Sequence, residues 1–122
     1  MPRTSLREHT TSSSRTVSAL QLRDLLADRD AGRADFRLID IREPHEVEIC
    51  AIDSAELVPQ AQFLEGIDQM HRQPRIILFC RSGVRSANAL AALHAAGFSD
   101  ASHLEGGILA WIDEVEPHLQ PY

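Results

Sequence analysis

The apolar positions of this chain change period from block to block, and each change marks a new element. Leu22, Leu25 and Leu26 recur at helical spacing. Ser18 followed by Gln21 is a capping-box pair that predicts the helix start, and Gly32 predicts its stop. Phe36-Arg37-Leu38-Ile39 then reads as a strand running into Asp40-Ile41-Arg42. The stretch from Glu43 to Glu48 predicts a short helical turn, with Pro44 suited to a first helical position and the acidic residues to the N-terminal dipole. Ala55-Glu56-Leu57-Val58 predicts a short strand before Pro59. Phe63, Ile67 and Met70 return to helical spacing, and Pro74 breaks the chain. Arg75-Ile76-Ile77-Leu78-Phe79 is the most apolar strand, the pattern of a central parallel strand covered on both faces. A loop from Cys80 to Ser86 leads into a helix whose core candidates are Ala87, Leu90, Ala91 and Leu93, ended by Gly97. Ser102-His103-Leu104 is a strand, Gly106-Gly107 a turn, and Ile108, Trp111, Ile112 and Val115 define a last helix ended by Pro117. Strands and helices alternate throughout, which predicts an α/β architecture: a mostly parallel sheet with helices on both faces.

Composition narrows the function classes. The chain has 122 residues, 43% of them hydrophobic and 25% charged, which predicts a single domain with a real core. Residues 1–15 are rich in Ser, Thr and Arg and are expected to be a flexible tail, a leader, or a linker from a larger protein; residues 16–122 are expected to form the domain. No apolar run approaches a membrane span, and no secretory signal is visible, so a cytoplasmic location is expected. Two cysteines do not make a disulfide framework, and no Cys or His spacing fits zinc; neither a metal nor an organic cofactor is expected. The net charge of -6 disfavours nucleic acid as a partner. All 12 basic residues are Arg, which excludes a Schiff-base or phosphate-loop lysine and hints at a GC-rich bacterial source.

The chemistry concentrates after the central strand. Ligands of open α/β sheets bind at the carboxyl ends of strands. There the sequence reads Cys80-Arg81-Ser82-Gly83-Val84-Arg85-Ser86 and opens into a helix. Amides at a helix N-terminus cradle anions, and a cysteine placed among them and near arginines is stabilised as a thiolate. Gly83 permits the curl. Cys80 alone would read as an inert buried thiol; the whole loop reads as a nucleophile's setting.

Three blocks, in this order and spacing, resemble the rhodanese domains of the sulfurtransferase superfamily. They are Leu38-Ile39-Asp40-Ile41-Arg42-Glu43-Pro44-His45-Glu46, the loop from Cys80 to Ser86, and Leu104-Glu105-Gly106-Gly107-Ile108-Leu109-Ala110-Trp111. The likeness is greatest to the rhodanese domains of molybdopterin- and thiamine-type adenylyltransferases, and extends to Pro117-His118-Leu119-Gln120-Pro121-Tyr122. The resemblance implies a rhodanese-like fold with a five-stranded sheet. It also implies a mechanism: Cys80 attacks a donor such as thiosulfate, becomes a persulfide, and passes the sulfur to cyanide, a thiol or a sulfur-carrier protein. Arg81, Ser82, Gly83, Val84 and Arg85 would bind the small anionic donor, with Ser86, Asp40 and Arg42 in support. Arg81 resembles thiosulfate-using members. A cysteine desulfurase is a further candidate partner; the oligomeric state is left open.

Related phosphatases place five residues between Cys and Arg, whereas this loop has four, from Arg81 to Val84, which argues against the phosphatase or arsenate-reductase alternative. A partner-dependent sulfur-relay or docking module is the other alternative. Asp40, Arg42 and Glu46 read as structural, Trp111 as core, and Cys50 as a small apolar residue rather than a resolving thiol. The six histidines default to surface or cap roles. Many members read Gly-His-Ile-Pro-Gly-Ala where this chain reads Cys50-Ala51-Ile52-Asp53-Ser54-Ala55, a departure that bears on acceptor recognition more than on the nucleophile.

Overall fold

The apolar run at 75–79 becomes the middle strand of the protein. A computed structural model describes residues 15–122. Five strands, β1 (Thr16–Val17), β2 (Phe36–Asp40), β3 (Glu56–Leu57), β4 (Arg75–Phe79) and β5 (Ser102–Leu104), form one sheet in the order β1-β5-β4-β2-β3. Every pairing is parallel. The helices are α1 (Ala19–Asp30), α2 (Pro44–Val47), α3 (Gln60–Gly66), α4 (Val84–Ala95) and α5 (Gly107–Glu114), with a 3-10 turn at Ile67–Gln69.

The period-two geometry of β4 divides the core. Ile77 and Phe79 pack with Phe36, Leu38 and Leu104 against Leu22 of α1 and Ile108, Trp111 and Ile112 of α5. Ile76, Leu78 and Cys80 pack on the other face with Ile39, Ile41, Phe63 of α3, and Ala89, Leu90 and Leu93 of α4. The capping box at Ser18 and Gln21 is present. At the start of α2 the Glu46 carboxylate accepts from the Glu43 N–H at 2.9 Å, the reciprocal half of such a box.

The structure corrects three local expectations. Ala87 and Ala91 are exposed, and Ser86 and Ala89 are buried in their place. The buried set 86, 89, 90 and 93 is a regular helical stripe whose phase is fixed by where Gly83 starts the helix. The helix through Phe63 ends at Gly66 and tightens into the 3-10 turn, so Met70 lies beyond it. β3 is only two residues long, an edge tied to β2 by the Arg37–Glu56 pair. The tail expected over 1–15 lies, apart from Arg15, outside the described residues; the Arg15 carbonyl accepts from the His103 N–H at 3.1 Å.

One helix-to-loop contact positions everything that follows. The amides of Ile108 and Leu109, in the first turn of α5, donate to the carbonyls of Cys80 (2.9 Å) and Arg81 (3.1 Å). That approach needs a residue without a side chain. Gly107 has φ 63°, and a Cβ there would lie 2.3 Å from the Arg81 carbonyl oxygen and 2.6 Å from that of Cys80. Both obstacles are backbone, so the helix itself would have to move. Gly107→Ala is therefore expected to cost about 2 kcal/mol or more. Gly66→Ala, where a Cβ meets nothing within 4 Å, is expected to be neutral or mildly stabilising. Urea midpoints of the two variants check this.

Candidate active site

Cys80 is the first residue past β4, and the chain turns at once around its sulfur. The amides of Gly83 (3.2 Å) and Ser86 (3.4 Å) donate to Sγ. The thiol in turn reaches the Ser86 hydroxyl at 3.5 Å. Gly83, at φ 110°, is the residue that lets the loop close into α4. Cys80 is 1% exposed, and its neighbours Ser82 and Val84 stand open on the rim. The first intrahelical bond of α4 runs from the Ala87 N–H to the Gly83 carbonyl. The amides of Val84 and Arg85 precede it, and such amides have no partner within the helix.

Both loop arginines are engaged. Arg85 makes a two-pronged pair with Glu46, at 2.8 and 2.9 Å. The Glu46 carboxyl is held far below its ordinary range, at about 2, first by the Arg85 hydrogen bonds. Burial opposes this, and the Glu43 N–H and Tyr122 hydroxyl add to it. The same pair raises Arg85 further above the usual guanidinium range, again against burial. Arg81 donates to the main-chain oxygen of Tyr122, with its guanidinium carbon 5.0 Å from the centre of the Tyr122 ring.

Asp40 and Arg42 leave the carboxyl end of β2 and are buried together. Arg42 Nε and Nη2 donate to the Asp40 carboxylate, the latter at 2.7 Å. The remaining guanidinium protons reach the Cys50 carbonyl (2.8 Å) and the Tyr122 hydroxyl (2.9 Å). The Tyr122 hydroxyl donates to Glu46 at 2.8 Å. A continuous chain of hydrogen bonds thus runs Asp40–Arg42–Tyr122–Glu46–Arg85 and ends at the Cys80 loop. Asp40 and Arg42 are joined to the site by the hydrogen bonds of this belt.

Two members escaped the sequence reading. Tyr122 is the hub of the belt, signalled only by its place in the C-terminal likeness. His103, expected on the surface or in a cap, is half-buried with Nδ1 2.8 Å from Ser86 Oγ. Burial pushes its imidazole below the ordinary range, against a weaker pull from Glu105.

Cys50 and Cys80 are both free thiols and belong to opposite faces of the sheet. Ile52, Asp53 and Ser54, from the departing segment, line a cleft of about 400 Å³ against α1 and α5 that contains no residue of the Cys80 loop. Among the described residues no cluster of His, Cys, Asp and Glu fits a metal, and no helix is long and apolar enough to cross a membrane.

Comparison with known proteins places the fold in a family. A probable adenylyltransferase/sulfurtransferase, MoeZ of Mycobacterium tuberculosis, is 44% identical over 109 residues, covering 88% of this chain. The chain spans only 27% of that relative's length. A sulfurtransferase of Allochromatium vinosum is 32% identical over 79% of this chain and 90% of its own length. The crystal structure of a rhodanese-related protein from Thermoplasma volcanium superposes with a TM-score of 0.69 at 28% identity, covering 84% of this chain and 95% of that one. The rhodanese-like domain model matches residues 18–114, all five strands but β1 and every helix included, and the chain belongs to the rhodanese-like domain family.

Proposed function

We propose that this chain is a rhodanese-type thiosulfate sulfurtransferase working through a persulfide on Cys80. Membership of the family and the sulfurtransferase relatives support a sulfur-transfer role. The observation that carries the finer reading is the pair of amide bonds from Gly83 and Ser86 to the Cys80 sulfur. Such a cradle stabilises a negative sulfur and costs no reorganisation during reaction. In the first step Cys80 attacks the outer sulfur of thiosulfate. The S–S bond of the donor breaks, sulfite leaves with the bonding pair, the thiol gives up its proton, and Cys80 holds a persulfide anion. In the second step cyanide, a thiol or the C-terminal thiocarboxylate of a sulfur-carrier protein attacks the outer sulfur, bonds to it, and releases the Cys80 thiolate.

In this reading the amides of Val84 and Arg85 and the positive edge of Arg85 receive the donor's sulfonate oxygens. Ser82, Gly83 and Val84 form the rim, Arg81 borders it, and Ser86, Asp40 and Arg42 hold the shape. A likeness to an adenylyltransferase/sulfurtransferase supports a sulfur-carrier protein as a partner; a cysteine desulfurase as protein donor and a cytoplasmic location belong to the same proposal. The engagement of Arg81 by Tyr122 favours a second reading, a relay module loaded only by a protein donor.

Intact mass separates the two. Incubation with thiosulfate is expected to add one sulfur atom to the wild type, removable by cyanide, and none to Cys80→Ser. Loading of the Ser variant would sink the assignment; loading only by a protein donor would move it to the relay reading. Arg85→Ala is expected to lower kcat/KM for thiosulfate roughly tenfold, the loss of one charge-assisted contact. Unchanged donor kinetics would remove Arg85 from the donor site.

The Glu46–Arg85 pair also sets an acid limit. The folded Glu46 pKa lies below its unfolded value, so its contribution to stability is present above about 4.5 and is lost as pH falls towards about 2. Glu46→Gln is expected to remove on the order of 2 kcal/mol at neutral pH and little at the acid end. Denaturation midpoints of both proteins across that window, compared as a difference, check the sign.

A further inference from the structure

The Ser86 hydroxyl stands between two titratable groups. It lies 3.5 Å from the Cys80 sulfur, 2.8 Å from His103 Nδ1 and 3.3 Å from the Gly83 carbonyl. Ser86 is fully buried. A hydroxyl has one proton to give and lone pairs to receive others. When His103 Nδ1 carries no proton, Ser86 donates to it across the shortest of these separations, and its oxygen is left to accept from the thiol.

The fold builds this alignment from three separate elements. His103 pairs in register with Leu78, two residues before Cys80 on the neighbouring strand. Its ring edge lies beside the loop, with Cε1 3.9 Å from where a Gly83 Cβ would stand. Ser86 projects from the first turn of α4 into the same space. His103 itself is half-buried.

We propose that His103 is a positioning residue that takes the Cys80 thiol proton through Ser86. The S–H proton passes to Ser86 Oγ as the Ser86 O–H proton passes to His103 Nδ1. A thiolate, an intact hydroxyl and an imidazolium result, with no net gain or loss of protons. Return of the proton after sulfur transfer restores the thiol. The proposal rests on Cys80 being the nucleophile and adds the route by which it ionises. Burial lowers the imidazole's pKa, so the ring enters the step neutral with Nδ1 free to accept, and the cost of charging it is offset by Glu105 and by the thiolate formed across Ser86.

The other charges facing this pair are Arg85 from α4, which interacts with Cys80, and Glu105 after β5, which pulls on His103; α5 brings no acidic group in its first turn. None of them is altered by substitution at 103, so a change in Cys80 ionisation reports the imidazole.

The test follows the ultraviolet absorbance of the thiolate against pH, each protein being read as the difference from its own Cys80→Ser counterpart. His103→Gln keeps a hydrogen-bonding partner for Ser86 but cannot take the proton. It is expected to raise the Cys80 half-titration point by about one pH unit, roughly a tenfold loss of thiolate at neutral pH. Ser86→Ala is expected to raise it too, and His103→Gln to add nothing in the Ser86→Ala background. An unmoved half-titration point in His103→Gln overturns the proposal, as does a shift that persists undiminished without the Ser86 hydroxyl. His103→Asn is read in the same way if the Gln variant does not fold. No sulfur donor enters the measurement. Normal coupling without persulfide formation would therefore sink the sulfurtransferase reading alone.

Discussion

The direction in which the chain leaves β4 governs the site. The carbonyls of Cys80 and Arg81 are turned outward and tied to the first amides of α5. With those acceptors committed, the amides of Gly83 and Ser86 are free to turn inward onto the sulfur. A helix N-terminus is an unusual partner for a loop carbonyl only in that it must come so close. It offers unpaired donors, and the two carbonyls need them once they have left the sheet. Gly107 makes the approach sterically feasible. The third motif of the sequence thus acts on the second, although the two are separated by a helix and a strand.

The belt of charge around this loop is held to a different logic. Asp40 and Arg42 are almost wholly out of water, and burial of both is costly unless every donor and acceptor is used. Here the guanidinium is spent on the Asp40 carboxylate, the Cys50 carbonyl and the Tyr122 hydroxyl. Removing one partner would leave an uncompensated buried charge, an effect of about 3–5 kcal/mol, far above what the pair adds over an apolar replacement. The belt therefore acts less as a source of stability than as a fixed geometry. It joins the end of β2, α2, the last residue of the chain and the loop at one spacing.

Most of the layered fold was legible because period-two and helical patterns report burial directly, and the core of β4 is the plain case. Phase and length were less legible. Ala87 and Ala89 are equally apolar, and only the point where Gly83 turns the chain decides which faces the sheet. For the site, Cys80, Gly83 and the arginines could be read because their chemistry is local to one loop. Tyr122 and His103 could not. Tyr122 meets Glu46 across 76 positions and Arg42 across 80, and His103 meets Ser86 across 17. Contacts at such separations are set by strand order and register, which a list of residue types does not contain.

The engagement of both arginines bears on how an anion would be chosen. Arg85 is shared with Glu46 and Arg81 with Tyr122, so neither presents a bare charge to the mouth of the loop. A site that relied on free guanidinium groups would draw any polyanion by long-range attraction, and the net charge of -6 opposes that draw. What remains is short-range and directional: amides at the start of α4, two at the sulfur itself, and, in the proposed function, the N–H edge of the paired Arg85. Such donors reward a ligand small enough to enter the curl of the loop, because an amide dipole weakens steeply once the hydrogen-bond distance is exceeded. In the proposed sulfurtransferase, selectivity would then come from the four-residue span between Cys80 and Arg85, which sets the size of the curl, more than from the sum of charge around it.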